Sequence, residues 1–146
     1  MAVPVYKRNL SKKQYFYYFK KIQKEVISLL LRDFNISEEK REDTPDWLIN
    51  QKRIEIMRSL SIISTCISRA EAFYPTTEKI KNDVLLYQIR AIQECYNLHD
   101  NIQFCSEIFF IKKIKIYNEI AYSIQQEVVF LKEWKKIVNK IQIQKQ

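Results

Sequence analysis

The 146-residue chain carries a net charge of +8, has no glycine and holds only three prolines. Tight hairpins, phosphate-cradling loops and dinucleotide fingerprints use glycine's positive-φ freedom, so this composition argues against a many-stranded fold and removes a P-loop or nucleotide fingerprint. The longest charge-free stretches, such as Ser59 to Ser68, fall well short of the roughly 18 apolar residues that a membrane span needs.

The opening residues show no signal h-region, so a non-secreted protein is expected. Cys66, Cys95 and Cys105 leave one thiol unpaired in any scheme, which fits a reducing cytoplasm. The length suits a single domain spanning residues 1–146.

After an arm over residues 1–10, the spacing predicts a first helix over about 11–33. Ser11 and Gln14 fit a capping box, and Tyr15, Phe19, Ile22, Val26 and Leu29 form a buried stripe with steps of 4 and 3. Its first turns contain K-K-Q-Y-F-Y-Y-F-K-K, residues 12–21, in which Tyr15 and Phe19 face the core. Phe16 and Tyr17 lie off the stripe and are expected at an interface with another subunit.

The polar segment 35–44 reads as a loop. Thr44 as N-cap and Pro45 at the first helical position then open a second helix over 45–73, which Pro75 ends. Thr76 or Thr77 caps a third helix over 77–107, with Val84, Ala91, Cys95, Leu98 and Ile102 in its stripe. A fourth over 113–140 repeats Ile114, Tyr117, Ala121, Ile124, Val128 and Leu131. The third link falls in I-F-F-I-K, residues 108–112, which has no turn residue and leaves a single bent helix as the alternative. The pattern predicts an all-α fold, an antiparallel up-down-up-down four-helix bundle.

Charge is uneven along the chain. Residues 1–32 hold eight Lys/Arg against Glu25 alone, and residues 106–146 hold eight lysines against four acids. In an up-down-up-down bundle the first and last helices are antiparallel neighbours. Lys12, Lys13, Lys20, Lys21 and Lys24 from one, with Lys132, Lys135, Lys136 and Lys140 from the other, would form a basic surface suited to the phosphates of RNA or DNA. Two readings compete with this. Lysine-rich faces can simply be solvated, and an anionic membrane surface is disfavoured because the apolar stripes are committed to partner helices. Trp134 is placed as a bundle-end or subunit-interface anchor, with base stacking as the alternative.

Catalytic and metal-binding patterns are thin. His99, the only histidine, shares a helix face with Cys95, but two residues do not make a four-ligand zinc site. There is no Glu-x-x-His motif for a di-iron centre and no paired carboxylate. No catalytic residue, metal or cofactor is assigned, and the chain is expected not to be an enzyme.

N-L-S-K at 9–12, L-L-L-R-D-F at 29–34, A-F-Y-P-T at 72–76 and L-K-E-W-K-K at 131–136, followed by Asn139-Lys140, together form a pattern. It resembles the bacterial four-helix-bundle proteins related to the accessory variability determinant (Avd) of diversity-generating retroelements, which include bundle proteins encoded in 23S rRNA intervening sequences. The chain departs from that pattern at Asn35, where a glycine is usual, and at the third link, where a proline is usual. The resemblance implies a non-enzymatic homo-oligomer, typically a pentamer, that binds a retroelement reverse transcriptase and its template RNA in support of mutagenic cDNA synthesis. The alternative from the residues alone is a protein–protein interaction or scaffold bundle, with Phe16, Tyr17, Phe109 and Phe110 as anchors.

Overall fold

A computed structural model describes residues 13–34 and 44–143, with the side chain of Ile111 left out. The described chain is all-helical and packs as a four-helix bundle. Its helices are α1 (Gln14–Asp33), α2 (Asp46–Ala72), α3 (Glu78–Ile108) and α4 (Ile114–Asn139), with a single 3-10 turn at Ile111–Lys113. Among the described residues no helix is long and apolar enough to cross a membrane.

Contacts between helices fix the antiparallel order. Tyr15 at the start of α1 stacks on Trp134 near the end of α4, with ring centroids 3.8 Å apart. Asp33 at the end of α1 meets Lys113 and Tyr117 at the start of α4. Lys13 beside the start of α1 pairs with Glu71 near the end of α2. Lys52 of α2 bonds Asn101 of α3, and His99 of α3 meets Gln125 of α4. Helix α1 packs mainly on α4 and only lightly on α2.

The apolar stripes bury one continuous core, in which Phe19, Ile22, Val26, Ile56, Ile63, Ala91, Leu98, Ile102, Ile124 and Leu131 are closed to solvent. Burial of such stripes is the main favourable term in folding the bundle.

Several local expectations need correction. The capping-box Ser11 lies outside the described residues; helix α1 starts at Gln14 after Lys13, which takes a left-handed φ of 41°. Pro45, not Thr44, occupies the N-cap of α2, because its carbonyl accepts from Leu48 and Ile49 N–H while Thr44 is tucked into the structure. Ile114, expected in the α4 stripe, is exposed. At α3 the cap is Thr77, whose Oγ1 accepts from Ile80 N–H at 3.1 Å.

The α3–α4 link is made without a turn residue. Phe109 and Phe110 N–H both donate to the Cys105 carbonyl, and Lys113 N–H donates to Phe110. Both phenylalanines are buried, and Phe110 contacts Phe34 and Tyr117. Aromatic burial thus supplies what glycine or proline would otherwise do. These two side chains fill the interior of the subunit, so they are not anchors for another one.

Candidate nucleic-acid interface

The candidate lysines fall on different flanks of the bundle. Lys132, Lys135 and Lys136 line a groove of about 390 Å³ between α3 and α4, together with Ile89, Ile92, Gln93 and Asn139. Lys21 and Lys24 line a wider groove between α1 and α4. Lys12 lies outside the described residues, Lys20 is exposed on α1, and Lys140 is exposed at the α4 C-terminus.

These lysines differ in what already faces them. Lys13 is paired with Glu71 at 3.1 Å, and Lys21 lies 3.9 Å from Glu25. Lys13 and Lys20 also flank the Phe16 ring, at 5.6 and 5.3 Å from its centroid. The α1–α4 groove holds Arg32 and Lys115 but also the carboxylates of Glu25 and Glu119. A third groove, between α2 and α3, is lined by Glu55, Glu94 and Asp100 around Arg58. Of these three, the α3–α4 groove alone has lysines and no carboxylate in its lining. A phosphate entering it meets lysines in the lining and no carboxylate there.

The helical period explains the juxtaposition. Lys132, Lys136 and Asn139 step by 4 and 3 along the α3-facing flank of α4. Opposite them, Ile89, Ile92 and Tyr96 step by 3 and 4 beside the core stripe of α3. This second apolar row escaped the sequence reading, although its spacing was available to reveal it. Tyr96 is 47% exposed, and Lys132 Nζ sits 5.8 Å from its ring centroid.

The expected interface residues also separate. Tyr17 is exposed and Phe16 half-buried. Trp134 is only 2% exposed and stacked on Tyr15, so it anchors the subunit's own core and reaches neither a neighbouring subunit nor a base.

Two carboxyls in the core were not anticipated. Asp33 accepts from Arg32, from Lys113 Nζ at 2.7 Å and from Tyr117 Oη at 2.8 Å. Burial alone would raise its pKa, but these donors outweigh that and hold the carboxyl below its ordinary range. Tyr117 is pushed up, first by burial and then by donating to Asp33. Glu127 is fully buried with neither carboxylate oxygen hydrogen-bonded, and burial lifts it from 4.5 to about 9. The amide of Gln88 and Trp134 Nε1 are likewise buried without a hydrogen-bond partner.

The cysteines are all buried with free thiols, and burial raises each pKa, Cys105 to about 12. Thiols held protonated in this way are poor nucleophiles. His99 bonds Gln125 at 3.2 Å. Among the described residues no group of three or more His, Cys, Asp or Glu side chains could hold a metal ion.

Comparison of the chain with protein-family models, curated proteins and solved structures returned no match.

Proposed function

We propose that this protein is a non-enzymatic, cytoplasmic nucleic-acid-binding bundle whose contact surface is centred on the α3–α4 groove. The observation that carries the reading is the set Lys132, Lys135 and Lys136 lining one groove that has no carboxylate. Lysines so placed neutralise phosphates and release condensed counterions, a binding mode that needs no catalytic group. Lys140 extends the positive field beyond the groove, while Lys20 and Lys24 add to it on the other side of the bundle.

On this reading the resemblance supplies the partner. The chain acts as an accessory protein that binds a retroelement reverse transcriptase and its template RNA, as a homo-oligomer of which a pentamer is the expected form, and supports mutagenic cDNA synthesis. The all-α bundle agrees with that assignment, while the reverse transcriptase rests on the resemblance alone.

The test is fluorescence anisotropy with a labelled RNA over a salt series. Affinity should fall steeply as salt rises, and Lys135→Glu with Lys136→Glu should weaken it by at least tenfold at low salt. Salt-independent binding, or an unchanged affinity in the double variant, overturns the reading. Co-expression with a retroelement reverse transcriptase and its template RNA tests the finer assignment: loss of cDNA on omitting this protein is expected, and unchanged cDNA contradicts it.

A second reading, a protein–protein scaffold, is favoured by one feature. Ile27 and Leu31 of α1 and Trp47, Ile54 and Met57 of α2 are exposed large apolar side chains. A protein with these surfaces and no nucleic-acid affinity would be the scaffold; light scattering at rising concentration measures its self-association.

A further inference from the structure

We propose that the α3–α4 groove is a single-strand site, which holds one nucleotide with its base against the apolar α3 wall and its phosphates on the α4 lysines. The inference rests on the nucleic-acid reading above and narrows it to unpaired RNA or DNA.

The two walls of the groove are chemically different. The α4 wall offers Lys132, Lys135, Lys136 and Asn139, which provide three cations and an amide for phosphate and sugar oxygens. The α3 wall offers Ile89 and Ile92, with Gln93 beside them. One turn further along the same row, the half-exposed Tyr96 ring lies under Lys132.

A duplex keeps its bases stacked inside and presents phosphates outward. It could satisfy the lysines but would leave the apolar wall wet. An unpaired nucleotide has both halves available: a flat apolar base for Ile89, Ile92 and Tyr96, and a charged backbone for the lysines. Stacking on an exposed aromatic ring beside a cationic track is how sequence-tolerant single-strand sites work. At about 390 Å³ the groove lies near the lower end of the roughly 300–1,000 Å³ of small-ligand sites, a size for one nucleotide and not for a helix.

Lys132 supplies a coupling between the two walls. Its ammonium rests 5.8 Å from the Tyr96 centroid, close enough for a cation–π contact. A phosphate that draws Lys132 away uncovers the ring for a base, so that backbone and base contacts form together. Gln93 is placed to bond a base edge, but one amide gives little sequence discrimination.

The experiment compares the full-length protein with Tyr96→Ala and Tyr96→Phe, on a labelled single strand and on a duplex of the same length, each as RNA and as DNA. Tyr96 is half-exposed, so neither change should disturb folding, which circular dichroism checks. Tyr96→Ala should weaken single-strand binding at least fivefold and leave duplex binding within twofold, while Tyr96→Phe should restore it. A matching loss on RNA and DNA assigns the site to the base and phosphate they share; a loss on RNA alone assigns it to RNA. Equal affinity for single strand and duplex, with both indifferent to Tyr96→Ala, overturns the single-strand site but leaves the nucleic-acid reading standing. Equal loss on both substrates also overturns it. Absence of binding to either sinks both proposals.

Discussion

Asp33, at the C-terminal end of α1, and Glu127, in the middle of α4, are both shut away from water, yet their carboxyls shift in opposite directions. Asp33 is held below its ordinary pKa and Glu127 is raised to about 9. Burial opposes ionisation in both cases. The difference is that Arg32, Lys113 and Tyr117 surround Asp33 with donors, whereas neither Glu127 oxygen has one. A buried carboxyl stays charged where the fold brings donors to it and takes up a proton where it does not. The first arrangement ties three segments together: α1, the α3–α4 link and α4. The second is a weakness in the centre of the bundle.

This comparison can be broken at its strong end. Asp33→Asn removes the buried negative charge on which Arg32, Lys113 and Tyr117 converge and should destabilise the bundle by about 3 kcal/mol, read as a drop in chemical-denaturation midpoint. The folded-state pKa of Asp33 lies below the unfolded one, so its stabilisation is fully present above the ordinary carboxylate range and is lost as pH falls through the depressed value. The variant should therefore lose less stability than the wild type on acidification. An equal acid loss in both would show that the cluster does not hold Asp33 ionised.

At the weak end the sign reverses. Glu127 binds its proton more tightly folded than unfolded, so stability should fall as pH climbs from about 4.5 to about 9 and level off above. Each pH unit in that window costs up to about 1.4 kcal/mol. Glu127→Leu should remove this slope, so that its stability relative to the wild type rises by up to about 3 kcal/mol between pH 6 and pH 8, measured as the midpoint difference between the two proteins at each pH. A variant that is less stable at pH 8, with an unchanged slope, would mean that Glu127 has a stabilising partner.

The smallest effect comes from trimming one donor. Tyr117→Phe deletes a hydrogen bond to a charged acceptor and should cost about 2 kcal/mol, less than Asp33→Asn because Arg32 and Lys113 still hold the carboxylate. A cost equal to that of Asp33→Asn would mean that the hydroxyl, and not the cations, keeps Asp33 charged.

The helices were legible because their apolar residues repeat with the helical period, and that period survives in every buried stripe. A threonine cap for α3 was legible as Thr76 or Thr77, and Thr77 takes it; the same signal misled at Thr44, where Pro45 occupies the N-cap. The α3–α4 link was legible in position, within residues 108–112, but not in how it is made, since Phe109 and Phe110 are buried there and Phe110 packs on Phe34 and Tyr117, which are distant in sequence. Trp134 was read as a bundle-end or subunit-interface anchor; the bundle-end role agrees with its stacking on Tyr15, while its burial leaves no surface for the other. Glu127 was passed over because one acid at the flank of an apolar stripe looks like a solvated position.

The motifs behind the resemblance take on structural roles. In L-L-L-R-D-F, Asp33 receives the α4 donors and Phe34 packs on Phe110; in L-K-E-W-K-K, Leu131 and Trp134 fill the core while Lys132, Lys135 and Lys136 turn outward to the groove. The basic surface was legible as composition, but its division between grooves was not. That division depends on which flank of each helix also carries carboxylates.

The same principle extends from the core to the surface: charges that already face opposite charges hold the fold, and those that do not are available to a partner. The most direct test replaces two sets of lysines with glutamate, Lys132/Lys135/Lys136 on α4 and Lys20/Lys21/Lys24 on α1, and measures RNA affinity against salt for each. The α4 set should lower affinity on the order of 100-fold at low salt and flatten the log–log salt slope by about 2, the loss expected for three single-strand phosphate contacts. The α1 set should cost only a few-fold. Equal losses from the two sets, or a dominant loss from α1, would contradict the assignment of the α3–α4 groove.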